Sequence, residues 1–193
     1  MRLVCSLGSP FSRKVRIALA EKGLKAELVL VDDYEAPALL QANPIGQVPA
    51  LVLDNGTNLF DSGVICAWLD AKHPKPRLIP EGDDQWPVRR LESAADSIME
   101  NIVKLRVEGM RAEERRSPPY LERLTRKTRR ALDALDAEGG GTGFDLGEAS
   151  LICALDYIDF RTPELDWRVG RPNLVARWER LKDRPSLVAT YPQ

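Results

Sequence analysis

Hydrophobic and polar residues follow two different patterns, one before residue 75 and one after it. In the first part, apolar runs typical of buried strands occur at residues 1–6 and Ala26–Asp32. Between them, apolar residues recur at helical spacing over Pro10–Gly23. The same part predicts a short helix at Pro37–Gln41, a hairpin around Asp54-Asn55-Gly56 and a helix at Ser62–His73. This alternation predicts a mixed sheet with helices on both faces.

After residue 75, the strand pattern is absent and only helical spacing is found. A segment rich in proline and charge, His73–Pro87, separates the two parts. Helices are predicted at Val88–Arg115, Pro118–Ala137, Asp145–Phe160 and 171–190, the last broken at Pro185. We therefore predict an α/β domain at 1–75, a linker at 76–86 and an all-helical domain at 87–193.

The third of these helices has an unbroken apolar run, Leu151–Leu155, which is typical of a central, buried helix. Asp145 and Glu148 stand at its start. Their spacing predicts a reciprocal capping box, in which each side chain bonds the backbone amide of the other.

Composition and charge narrow the class of protein. Of the 193 residues, 44% are hydrophobic and 30% charged, which suits a globular protein with a sizeable core. The net charge is -1, so we expect neither nucleic acid nor a membrane as a partner. Met1 leads into a strand-like run with no apolar leader segment, and we expect a cytoplasmic protein.

Cysteine and histidine are scarce. Cys5, Cys66 and Cys153 lie far apart in apolar runs, which argues against disulfides and against a zinc site. We expect buried, inert thiols and no bound metal. The single histidine, His73, stands at a predicted helix end, so a mechanism based on a histidine base is disfavoured.

The turn at Ser9-Pro10 has two interpretations. Ser9 is a good N-cap and Pro10 suits the first position of a helix, so the pair could serve only to start the helix. Alternatively, a hydroxyl at a helix N-terminus can donate a hydrogen bond to the thiolate of a ligand. The thiolate is the nucleophilic form of a thiol, so Ser9 would activate a borrowed sulfur.

Two later turns also have a structural and a functional interpretation. Val48-Pro49 stands at the start of a strand, where proline is tolerated and the backbone of Val48 could pair with an extended peptide. Asp61-Ser62 starts the next helix. It is either a helix cap or a clamp in which Asp61 binds an ammonium group and Ser62 with the first amides binds a carboxylate. Together, the three turns offer what a γ-glutamyl tripeptide thiol requires.

The chain resembles the glutathione S-transferase superfamily, in particular a short bacterial subgroup of it. The resemblance is carried by the motifs SPFSRKVRIALAEKG, NPIGQVPALV, LFDSGVICAWL and LGEASLICALDYIDFR, which span both predicted domains. It implies an α/β plus all-α protein, with a thioredoxin-like N-terminal domain followed by an all-helical C-terminal domain. It also implies a homodimer, with an interface on the third N-terminal helix and the first two C-terminal helices.

The resemblance further implies roles for individual residues. Ser9 matches the position that contacts the glutathione sulfur, with Phe11 beside it. Val48 matches the backbone that pairs with the cysteinyl part, next to a cis Pro49. Asp61 and Ser62 match the pair that holds the γ-glutamyl group, and Gln47 matches a position near the glycyl end. The pocket for the electrophile would be walled by Met99, Val103 and Arg106.

The leading hypothesis is an enzyme of detoxification that binds reduced glutathione as co-substrate and stabilises its thiolate through Ser9. The thiolate would react with a small electrophile or a peroxide, and an isomerase activity also fits the resemblance. The second hypothesis is a binding or regulatory protein of the same fold without catalysis. The third is a glutaredoxin-like oxidoreductase, which would have to use Cys5 because Ser9 and Ser12 carry no sulfur.

Overall fold

The computed structural model describes residues 1–193, and its elements follow the predicted order. The strands are β1 (Arg2–Cys5), β2 (Glu27–Leu30), β3 (Ala50–Val52) and β4 (Asn58–Leu59). The helices are α1 (Pro10–Glu21), α2 (Pro37–Ala42), α3 (Ser62–Lys72), α4 (Gln85–Gly109), α5 (Pro118–Ala137), α6 (Leu146–Arg161), α7 (Pro172–Leu181) and α8 (Pro185–Val188). Short 3-10 turns lie at Gly82–Asp84, Glu113–Arg115 and Pro163–Leu165.

The four strands form one mixed sheet in the order β2-β1-β3-β4. Strands β1 and β2 are parallel, and the other two pairs are antiparallel. Side chains alternate between the two faces along each strand. Leu3 and Cys5 therefore pack with α1 and α3, whereas Val4 packs with α2 on the other face. The predicted mixed sheet with helices on both faces is confirmed.

Helix α6 is the centre of the helical domain. Every residue from Leu146 to Ile158 is buried, as the apolar run predicts. Helices α4, α5 and α7 contribute side chains to the same core. None of the helices combines the length and the apolar composition needed to span a bilayer.

The predicted capping box at the start of α6 is only half formed. The carboxylate of Asp145 accepts the Glu148 amide at 2.9 Å, as expected. The Glu148 carboxylate, however, does not return to Asp145, because it accepts a hydrogen bond from Arg177 at 2.9 Å. A buried carboxylate gains more from a guanidinium than from a single amide, so the ion pair displaces the cap.

The first helix of the helical domain begins and ends earlier than its predicted span, Val88–Arg115. Helix α4 starts at Gln85 because Pro87 lies in its first turn, where a missing amide proton costs nothing. The last two residues of the predicted linker, 85 and 86, are therefore helical. The helix stops at Gly109, and residues Glu113–Arg115 form a separate turn.

Candidate active site

Strand register brings the three predicted turns to one edge of the sheet. Val4 of β1 lies opposite Ala50 of β3, and Leu51 of β3 lies opposite Leu59 of β4. Both pairings are antiparallel. The residues that follow β1, those that precede β3 and those that follow β4 therefore converge at the same end of these strands. Phe60, just before Asp61, packs against the small core that includes Val48 and Val4.

Ser9 caps α1 with one of its lone pairs. Its Oγ accepts the backbone amide of Ser12 at 3.2 Å, and Pro10 occupies the first helical position. A hydroxyl has one proton and two lone pairs, so accepting this bond leaves the proton free for another acceptor. The two interpretations of Ser9 are thus compatible, because the cap uses an acceptor and a thiolate would use the donor.

Val48 has an unpaired backbone at the start of β3. Neither its N–H nor its carbonyl forms a backbone hydrogen bond within the protein. The Val48–Pro49 peptide bond is cis, as the resemblance implies, and Pro49 is buried. The loop is held from behind, since the Asn43 side chain donates to the Gln47 carbonyl at 2.7 Å. An extended ligand could therefore pair with Val48 without displacing a protein partner.

Asp61 caps α3 and keeps one oxygen free. Its Oδ1 accepts the amides of Gly63 at 3.0 Å and Val64 at 3.3 Å. Because both bonds end on Oδ1, the other oxygen, Oδ2, is available to a ligand. Ser62 is the first helical residue and is buried at the positive end of α3. This arrangement can hold an ammonium and a carboxylate side by side.

The remaining residues predicted for the site differ in how buried they are. Phe11 packs against the core of the helical domain, and Gln47 is exposed. Val103 is partly exposed and Arg106 is exposed, both on α4. Met99 is completely enclosed in the core of the helical domain, so its side chain is not open to a ligand.

A buried charge cluster near Asp61 was not anticipated from the sequence. The ammonium group of Lys14 on α1 lies 2.7 Å from Asp96 and 3.1 Å from Glu92, both on α4. Burial disfavours the charge on Lys14, but the carboxylates Asp96 and Glu92 outweigh it and hold its pKa above the usual value. Burial also raises the pKa of Asp96, and the nearby Glu92 and Asp61 add to this effect while Lys14 opposes it.

The neighbouring Arg13 makes a second buried connection between the domains. It lies 2.8 Å from Asp156 on α6 and donates to the Leu187 carbonyl at 3.2 Å. The sequence carries no signal for these contacts, because two adjacent basic residues on a 12-residue helix are normally solvated. Their partners lie 78 or more positions later, so spacing along the chain does not reveal them.

The three cysteines do not have the properties of reactive thiols. All three are buried. Burial raises the pKa of Cys66 to about 12 and that of Cys153 to about 11. Burial also raises the pKa of Cys5, against the opposing effect of Arg16. A reactive thiol is partly exposed and has a lowered pKa, so the glutaredoxin-like hypothesis has no support at Cys5.

Comparison with known proteins agrees with this geometry. The chain matches the N-terminal domain of glutathione S-transferases over residues 3–77 and their C-terminal domain over residues 118–176. It is 36% identical to the uncharacterized GST-like protein YibF of Escherichia coli, across 100% of this chain and 98% of that protein. The chain belongs to the glutathione S-transferase family. The expected thioredoxin-like domain followed by a helical domain is thereby confirmed.

Two solved bacterial structures of this family are similar over almost the whole length of the chain. A glutathione S-transferase of Methylobacterium radiotolerans, in complex with glutathione sulfonate, is 38% identical with a TM-score of 0.92, covering 99% of this chain and 94% of that one. A glutathione transferase family member of Pseudomonas fluorescens, with bound S-(propanoic acid)-glutathione, is 39% identical with a TM-score of 0.90, covering 100% of both chains.

Proposed function

We propose that the protein is a glutathione transferase that binds reduced glutathione at the edge of the sheet and directs its thiolate at a small electrophile. The observation that carries the proposal is the unused donor of Ser9. This hydroxyl is fixed by the Ser12 amide and lies at the N-terminus of a 12-residue helix. A thiolate placed there would gain one hydrogen bond and the field of the helix.

The tripeptide would lie across the three turns. Its γ-glutamyl ammonium would bind Oδ2 of Asp61, and its carboxylate would face the hydroxyl and the amide of Ser62, because the amides of Gly63 and Val64 already bond Oδ1 of Asp61. The cysteinyl backbone would pair with Val48, and the glycyl end would lie near Gln47. The thiol proton would leave to solvent, and the sulfur would then attack the electrophile while Ser9 keeps its own proton.

Two similar structures support this proposal, since glutathione derivatives are bound in both. The second derivative carries a short acid on its sulfur, which agrees with conjugation as the reaction. Peroxide reduction and isomerisation would require the same thiolate, so the test below addresses the shared step.

The test uses two substitutions at Ser9. In Ser9→Ala, both the cap and the donor are lost, whereas Ser9→Gly keeps an acceptable N-cap residue, adds no charge and has no side-chain donor. We expect both variants to raise the pKa of the bound glutathione thiol by about 1 to 2 units, because a hydrogen bond to a charged group contributes roughly 1.5–3 kcal/mol. The thiol is titrated through the ultraviolet absorbance of the thiolate, and turnover is measured with chlorodinitrobenzene.

Comparison of the two variants shows whether Ser9 only caps the helix or also acts on the glutathione sulfur. If Ser9 is only a cap, Ser9→Gly will keep the wild-type thiol pKa and turnover and will lose only roughly a few tenths of a kcal/mol of stability. If Ser9 acts on the sulfur, Ser9→Gly will fold normally, raise the pKa of the bound thiol and lose activity. Calorimetry with glutathione addresses the hypothesis of a non-catalytic protein, because binding without any turnover would favour that hypothesis over ours.

We also propose that the working form is a homodimer. Val64 on α3 and Trp86 on α4 are large apolar residues that are half or more exposed in the single chain, 50% and 61% respectively. Both belong to the elements that the resemblance assigns to the interface. Exposed apolar groups on two such elements favour contact with a second copy.

A further inference from the structure

Arg161, at the end of α6, has no carboxylate partner, unlike the arginines that follow it in the chain. The others between residues 161 and 184 all have a carboxylate partner: Arg168 with Asp159, Arg171 with Asp133, Arg177 and Arg180 with Glu148, and Arg184 with Glu21. Arg161 forms no such ion pair, and its buried Nε has no hydrogen-bond partner. A guanidinium is always charged and has five donors, so Arg161 is available to an anion.

Arg161 reaches from the helical domain to the turn that carries Ser9. A Cβ atom added to Gly8 would lie 2.8 Å from Nη2 of Arg161 and 3.9 Å from the Phe160 ring. Gly8 thus leaves the space that the guanidinium occupies, next to the residue that would hold the sulfur. The main-chain oxygen of Gln193 borders the same space, at 3.3 Å from that Cβ position.

The position of the Arg161 guanidinium is fixed by stacking. Its Cζ lies 3.8 Å from the centroid of the Phe160 ring. Phe160 in turn packs against Tyr157, with 6.5 Å between the ring centroids. A stacked guanidinium loses less conformational freedom when it binds a planar anion, so it suits a carboxylate better than a mobile lysine would.

Tyr157 lies one turn before Arg161 on α6, and its ring packs against Phe160. Burial raises the pKa of the Tyr157 hydroxyl, and the Arg161 guanidinium opposes this increase. The contacts with Gly8 and Phe160 therefore place one cation, Arg161, beside the turn that carries Ser9.

We propose that Arg161 recognises a carboxylate on the electrophile, and that the second substrate is a small carboxylate-bearing electrophile. The inference rests on the proposed function, because it places the acid beside a glutathione thiolate held at Ser9. Arg161 would bind the carboxylate through two parallel N–H donors.

In a substitution reaction of this kind, the thiolate sulfur forms a bond to the carbon next to the carboxylate. The bond from that carbon to a halide breaks, and the halide leaves with the electron pair. The thiol proton has already passed to solvent, so the products are the carboxylated thioether, the halide and a proton. Arg161 lowers the repulsion between the attacking thiolate and the anionic substrate, which otherwise slows this reaction.

The test compares chloroacetate with chloroacetamide, which differ in charge but share the leaving group. The enzyme's own cysteines are buried, so they do not compete for these reagents. We expect Arg161→Met to lower kcat/KM for chloroacetate by about tenfold or more, since a hydrogen bond to a charged partner is lost. In the same variant, kcat/KM for chloroacetamide should change less than about threefold. Arg161→Lys should recover part of the loss in kcat/KM for chloroacetate. Arg126→Met, at an exposed arginine of α5, is the matched control.

A binding measurement keeps the inference testable without turnover. Calorimetry on the wild-type protein compares S-carboxymethyl-glutathione with its carbamoylmethyl analogue, and the acid is expected to bind more tightly by about tenfold through Arg161. Equal binding of the two conjugates, or equal losses for both substrates in Arg161→Met, overturns the inference while the proposed function stands. If neither glutathione nor the conjugates bind, the proposed function itself fails.

Discussion

At Asp61, the helix cap uses one carboxylate oxygen and leaves the other free, so a substitution can separate the cap from the charge. Asp61→Ser keeps an N-cap for α3 but removes the charge that faces the γ-glutamyl ammonium. We expect glutathione to bind about tenfold or more weakly, because a charge-assisted bond is lost, while the stability changes little. Asp61→Ala should lose the same affinity and also about 1 kcal/mol of stability.

Calorimetry with glutathione and thermal unfolding measure the two effects at Asp61. Asp145→Ala, which removes the equivalent cap from α6, is the control for the stability loss alone. Normal glutathione affinity in Asp61→Ser would mean that Asp61 serves only as a cap.

Some residues of the candidate site could be predicted from the sequence, and others could not. Ser9 and Asp61 could be predicted because each follows a strand and precedes a helix, and both are good N-caps. Lys14 could not be predicted as buried, because a lysine on a short helix is normally solvated. Its burial depends on Glu92 and Asp96, which are brought to it only when the two domains pack.

At the scale of elements, α1 is the piece that joins the two domains. It starts at Ser9, packs against the sheet through Val15 and inserts Ile17 into the core of the helical domain. Lys14 and Arg13 add ion pairs to α4 and α6. The helix that starts at Ser9 is therefore fixed from both sides, which would keep the proposed donor in place for a ligand.

The Lys14 connection leads to a prediction of stability. Lys14→Met leaves Glu92 and Asp96 without their ammonium partner in a buried position, and we expect a loss of about 3 kcal/mol or more in the free energy of unfolding. Lys104→Met, at an exposed lysine paired with Glu100 at 3.2 Å, should cost about 0.5 kcal/mol or less.

Urea denaturation measures the free energy of unfolding of Lys14→Met and of Lys104→Met. The double variant Lys14→Met, Asp96→Asn should recover part of the loss, because it removes the unpaired charge of Asp96, whereas Glu92 keeps Arg89 as a partner at 2.9 Å. An equal, small loss at Lys14 and Lys104 would contradict the prediction.

Helix boundaries were predictable where a strong signal lies at each end. Helix α5 has its predicted bounds because Pro118 suits a helix start and the glycines from Gly139 end it. Helix α4 was misplaced because Pro87 was interpreted as part of a linker, although proline in a first turn is compatible with a helix. The same residue type can thus end one element or begin another, and the local sequence does not decide which.

On the scale of the whole molecule, the candidate site is divided between the domains. The residues that we propose bind glutathione lie in the α/β domain, and their convergence follows from strand order and register. Arg161 belongs to the helical domain, and its position beside Gly8 depends on how the domains pack. The first set could therefore be proposed from the sequence, whereas Arg161 was not among the residues that the sequence suggested.

The mass of the protein in solution tests the proposed homodimer. A homodimer would have a mass of about twice the 21.6 kDa of the chain, which light scattering after size exclusion measures. Trp86→Glu should shift the mass toward the monomer, because a charge would be buried at the interface, while glutamate in the first turn favours α4 itself. Val188→Glu is the matched control, since Val188 is similarly exposed, at 59%, but lies on α8 outside the predicted interface. A wild-type mass of one chain, or equal behaviour of the two variants, would contradict the proposed dimer.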